Sequence, residues 1–272
     1  MTASSSPPFI SNWVKYKTFL EKQDGFLADL FTHYQGRISK YEYERVLIGL
    51  LHRYALNFRT IYRCWGDFLN NPKFKFAIYT LLRPLIADQL LMIYLLEEFK
   101  WLIPIGRKDK RDEWEVNETG FIRRYKEVST SFFTRLESYL KKKVKNSELS
   151  SAEMEELLSH QRNIYTEFSP EIKAKKAPSP GEMADRITYG REFKKSLYDH
   201  YFRLSQFEHF TIITEELMGD PDKDSELMDI IEITDRLLNG LNVNISTIRV
   251  SDEFRNKTVE LINGFRSIKW ER

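Results

Sequence analysis

The stretch from Phe74 to Trp101 constrains this chain more than any other, because it is apolar on nearly every side. Ile78, Leu82, Leu85, Ile86, Leu90, Leu91, Ile93 and Leu95 leave no polar stripe wide enough for a surface helix, so a central, buried helix is expected here. Pro72 precedes its first turn, and Pro104 and Gly106 end it. Arg83 and Asp88 interrupt the apolar run, and charges at such positions must be paired or hydrogen-bonded. At 3.6 residues per turn the two point about 140° apart, so each is expected to meet a different neighbour. With Glu97, Glu98 and Lys100 they leave far fewer than the roughly 20 uninterrupted apolar residues that a membrane span requires, so no span is expected.

The rest of the chain reads as helices around that element. Trp13, Tyr16, Phe19, Leu20, Leu27 and Leu30 recur at threes and fours towards Tyr34, and Tyr43 to Phe68 shows one broad apolar face. Phe121 to Lys145 forms a fourth periodic segment whose lysines suit a helix C-terminus, and Ser150-Ser151-Ala152-Glu153 has capping-box spacing for a fifth. A further helix is expected from Gly181 through Met218, perturbed at Gly190, and others over 225–239 and from Ser251. Residues 242–250 are ambiguous, their β-branched side chains favouring strand against helical neighbours. The expectation is an all-α fold: one multi-helix bundle of seven or eight helices over 13–272, with a frayed tail at 1–12. The proline-bearing run at 169–180 reads as a hinge or flap.

Composition excludes several kinds of activity. With 42 basic residues against 40 acidic ones, the net charge of +2 provides no global field for nucleic acid or membrane. The one cysteine, Cys64, cannot support an internal disulfide framework and suits a reducing compartment, so a cytoplasmic location is expected. Five scattered histidines and one cysteine form no zinc spacing, and there is no Gly-rich phosphate loop and no Gly-x-Ser-x-Gly elbow. Neither a metal nor another cofactor is expected.

The most informative polar run is 198–209. Tyr201, Ser205 and His209 are spaced by four, so they rise along one helical face with Tyr198 beside them. One reading makes these residues a structural seam that meets Arg83 or Asp88 of the central helix. The other makes His209 an acid or base oriented by a neighbouring group.

Arg83-Pro84-Leu85-Ile86-Ala87-Asp88, Met183-Ala184 after a proline-rich loop, and the Tyr201, Ser205, His209 series together resemble an uncharacterised bacterial all-helical family. That family carries an Arg-led helix and a Tyr-x3-Ser-x3-His signature, with Glu more usual where Asp88 stands. Its general plan is similar to the HEPN domains of toxins and phage-defence proteins, some of which are RNases with an Arg-x4-6-His motif. Arg203 and His209 fit that motif; the resemblance implies phosphate binding by the arginine and proton transfer by the histidine. Arg45 and His52 fit it equally, Leu204 stands where the motif usually has a polar residue, and on a straight helix Arg203 and His209 diverge by about 120°. The expected function is therefore a non-catalytic interaction or regulatory protein in bacterial defence or stress response, with a protein partner or a homodimer. The alternative is a metal-independent RNase using Arg203 and His209, with RNA as its partner.

Overall fold

The computed structural model describes residues 8–34, 42–70, 75–99, 118–166, 178–188, 191–205, 223–248 and 251–271. Among the described residues the fold is all-α. The helices are α1 (Pro8–Tyr34), α2 (Glu42–Asn70), α3 (Lys75–Leu96, continued by a 3-10 turn at Glu97–Phe99), α4 (Glu118–Lys145), α5 (Ser151–Thr166), α6 (Pro180–Arg186), α7 (Arg191–Ser205), α8 (Lys223–Thr247) and α9 (Asp252–Arg266). These nine, among the described residues, exceed the expected seven or eight, because the helix expected from Gly181 is two. Ser179 closes a capping box with Glu182 and starts α6, the backbone turns extended at Ile187, and α7 begins anew at Arg191. The ambiguous segment is helical as far as Thr247: α8 buries Leu241, Asn244 and Ile245 at helical spacing, and tertiary burial outweighs β-propensity. Helix α1 starts at Pro8, inside the expected tail. Of the expected hinge, only 178–180 are described, and the expected continuation of α7 beyond Ser205 lies outside the described residues.

The chain divides into two compact units, Met1–Ile93 with Thr188–Arg272, and Tyr94–Ile187. In the first, α1 and α2 run antiparallel: Trp13 stacks on Trp65 at 4.3 Å, Arg59 pairs with Asp24 at 2.8 Å, and Phe31 meets His52 at 4.0 Å. The apolar residues of α2 explain this, since Tyr43, Leu47, Leu51, Tyr54, Phe58, Ile61 and Trp65 recur at threes and fours and are all buried. Helix α9 returns antiparallel to α1, with Phe19 against Phe265 at 4.5 Å and Phe26 against Phe254 at 6.4 Å. Asn12 and the Glu271 backbone close that pair reciprocally, with hydrogen bonds of 2.6 and 2.8 Å. The Tyr16 and Thr234 hydroxyls, 2.6 Å apart, tie α1 to α8.

Helix α3 is long and apolar enough, by length and composition, to cross a membrane. Its Ile78, Leu82, Leu85, Ile86 and Leu90 are buried in the first unit, with side-chain links from α3 to α2, α7 and α8. Pro84 sits inside α3 and removes one backbone donor from it.

In the second unit, Phe121, Ile122, Val128 and Leu140 give α4 a buried face, and Leu158 is buried on α5. Arg124 donates to the Tyr94 carbonyl at 2.7 Å and pairs with Glu98. The Ser150–Glu153 capping box forms as the sequence indicates, with Ser150 N–H donating to the Glu153 carboxylate at 2.8 Å.

Candidate functional site

Helix α7 buries Leu197, His200 and Leu204, and this sets which of its polar groups face the core of the first unit. Arg83 of α3 donates from Nη2 to the Tyr201 hydroxyl at 3.0 Å, and its guanidinium carbon lies 4.9 Å from the centre of the Tyr201 ring. Tyr198 stacks beside Tyr201 with ring centres 6.5 Å apart. Ser205 and Asp88, two other members of the expected seam, have their partners elsewhere. Ser205 turns its hydroxyl back to the Phe202 carbonyl at 2.6 Å. Asp88 faces α2, where Arg53 Nε lies 3.1 Å from Oδ2, in ion-pair range but off the direction of a hydrogen bond. His209 lies outside the described residues.

Arg203 is held by Asp229 of α8 at 3.1 Å, and its Nη2 lies 3.4 Å from His200 Nδ1. Glu232 lies 3.6 Å from the other imidazole nitrogen. Burial, and then the Arg203 charge, push His200 below the ordinary histidine range. The imidazole is thus favoured in its neutral form inside a charged α7–α8 contact. His200 is not marked by the Tyr201, Ser205, His209 spacing, because it lies about 100° round the helix from Tyr201. Its spacing of three from Leu197 and from Arg203 was the available sequence signal.

Burial pushes the Asp88 carboxyl up to about 6, and the Arg53 charge only partly offsets this. Asp88 lines a small cavity at the α2–α3–α8 junction with Gln89, Asn244 and Gly240. A groove of about 560 Å³ runs between α1 and α9. Its walls include Phe19, Phe26, Leu261 and Phe265, and its rim carries Lys15, Lys22, Asp29, Lys257 and Glu260. Among the described residues, no group of three or more His, Cys, Asp or Glu side chains is arranged to hold a metal ion. Comparison with protein families, with curated proteins and with solved structures finds no match to this chain.

Proposed function

We propose that this protein is a non-catalytic helical interaction module that receives an amphipathic helix of a protein partner in the α1–α9 groove. The observation that carries this reading is the groove itself, an apolar trough of about 560 Å³ between two antiparallel helices. From Val14 to Asp29 it follows α1 for about 22 Å at 1.5 Å per residue, the length of roughly four helical turns. A mainly apolar trough suits the apolar face of a helix, anchored at threes and fours. The rim decides between partner classes. Lys15, Lys22 and Lys257 alternate with Asp29 and Glu260, whereas a phosphate polymer or an anionic membrane selects a surface of one sign. A mixed rim matches the mixed flanks of a protein helix. The resemblance of the Arg83 to His209 region to HEPN-like bundles supplies the wider context, a bacterial cytoplasmic defence or stress pathway.

The pairing of α7 side chains supports the same reading. Arg203 is engaged by Asp229, and His200 is buried rather than displayed.

A photo-reactive residue at Leu261, with the full chain expressed in cells, tests the proposal. The expected result is one discrete adduct whose cross-linked peptide is an amphipathic helix, abolished by Gly264→Trp. A Cβ at Gly264 meets nothing within 4 Å, so the new side chain starts from open space in the groove lining. Metal-independent RNA cleavage by the purified protein, lost in a stably folded His209→Ala variant, would establish the ribonuclease instead.

A further inference from the structure

The rim of the α1–α9 groove is divided by sign. Two of its five charges are already committed. Lys15 donates to the Lys269 carbonyl at 2.8 Å and pairs with Glu271 at 3.0 Å, and Lys257 pairs with Glu253 of its own helix at 2.8 Å. The other three, Lys22, Asp29 and Glu260, are exposed, and among the described residues no ion pair engages them.

These three charges are separated along the groove. The Glu253 hydrogen bond, and then the charges of Glu253, Asp29 and Glu260, hold Lys257 above the ordinary lysine range, so both uncommitted carboxylates lie near one amine. Lys22 precedes Asp29 by seven residues, two turns of α1, and stands on the same edge about 10 Å away. Phe19 and Phe26 repeat that spacing and are buried in the groove lining. The edge of α1 therefore reads base, then acid, beside an apolar floor.

A helix laid against two others meets them as a further strand of a coiled coil, where the charges flanking the apolar seam select the partner. We infer that the helix received by this groove carries an acidic and a basic residue seven positions apart beside its apolar face, the acid meeting Lys22 and the base meeting Asp29 and Glu260. The inference rests on the docking reading above and adds the partner's charge pattern to it. A helix flanked by acids alone sets a like charge against Asp29 and Glu260, and one flanked by bases alone sets a like charge against Lys22.

Three synthetic helical peptides with a common leucine face test this, carrying Glu and Lys, Glu and Glu, or Lys and Lys at two flanking positions seven apart. Fluorescence anisotropy with the full chain at low salt should rank the Glu and Lys peptide first, by about fivefold over the other two. Reversing charge on the protein should move the ranking. Lys22→Glu should make the Lys and Lys peptide the tightest, and Asp29→Lys combined with Glu260→Lys should favour the Glu and Glu peptide. The replaced side chains are exposed and form no ion pair, so the variants keep the fold. Equal binding of all three peptides, blocked by Gly264→Trp, overturns the charge pattern while the groove stands. Binding by none of them overturns both.

Discussion

Gly240 and Gln89 share one space: a Cβ on Gly240 would lie 1.6 Å from Nε2, 2.3 Å from Cδ and 2.7 Å from Cγ of Gln89. Replacing glycine by alanine within a helix ordinarily gains up to about 1 kcal/mol. Here the sign reverses. Gly240→Ala must expel a buried amide along most of its length and break its bond to the Arg236 carbonyl, at a cost of about 1–3 kcal/mol. Gln89→Ala in the same chain removes the obstruction, so the double variant should be more stable than Gly240→Ala alone. Urea melts of the four chains measure this, and additive effects would refute the steric account.

Arg83 and Tyr201 allow the two components of their contact to be separated. Tyr201→Phe retains the ring under the guanidinium and loses only the 3.0 Å hydrogen bond, so it should cost about 0.5–1.5 kcal/mol. Arg83→Met loses both components and should cost more. In the Arg83→Met background Tyr201→Phe should be nearly neutral, and an unchanged cost there would show that the hydroxyl serves another partner.

Asp88 makes stability depend on pH in a direction opposite to that of a salt-bridged carboxylate. Its folded pKa of about 6 exceeds the ordinary 3.8, so between these values the folded state holds a proton that the unfolded state has released. The contribution is fully present below pH 4 and is lost as pH rises through 6, to an extent on the order of 3 kcal/mol. Wild type should lose stability over that window relative to Asp88→Asn. Parallel stability profiles of the two chains would refute the assignment.

The sequence made α3 legible because an all-round apolar run has one stable location, and the divergence of Arg83 from Asp88 followed from helical geometry. Their partners were not legible. Arg53 meets Asp88 across two helices, and no local pattern distinguishes it from Arg45 or Arg59 on the same helix. The Ser150–Glu153 box was readable beside a periodic segment. The equivalent Ser179–Glu182 box was obscured by Pro178 and Pro180, which read as connector although Pro180 occupies the first turn of α6. Gly240 offered only the cost of a mid-helix glycine as a hint, since the reason for it lies on α3.

His200 gives the most discriminating test of how α7 meets α8. Burial lowers its pKa, Arg203 and Arg236 lower it further, and Glu232 and Asp229 raise it. Arg203→Gln should therefore move the titration up towards the ordinary 6.5, and Glu232→Gln should move it further down. Because the folded pKa is depressed, the neutral imidazole contributes stability above pH 6.5 that is lost as pH falls through its folded pKa. Arg203→Gln should reduce that acid-side loss. The pair Arg203–Asp229 is itself 44% and 38% exposed, so breaking it should cost at most about 1 kcal/mol near neutral pH. Proton NMR of the imidazole ring follows both variants directly. Shifts of the same sign in Arg203→Gln and Glu232→Gln would mean that His200 responds to a rearrangement of α7 rather than to these two charges.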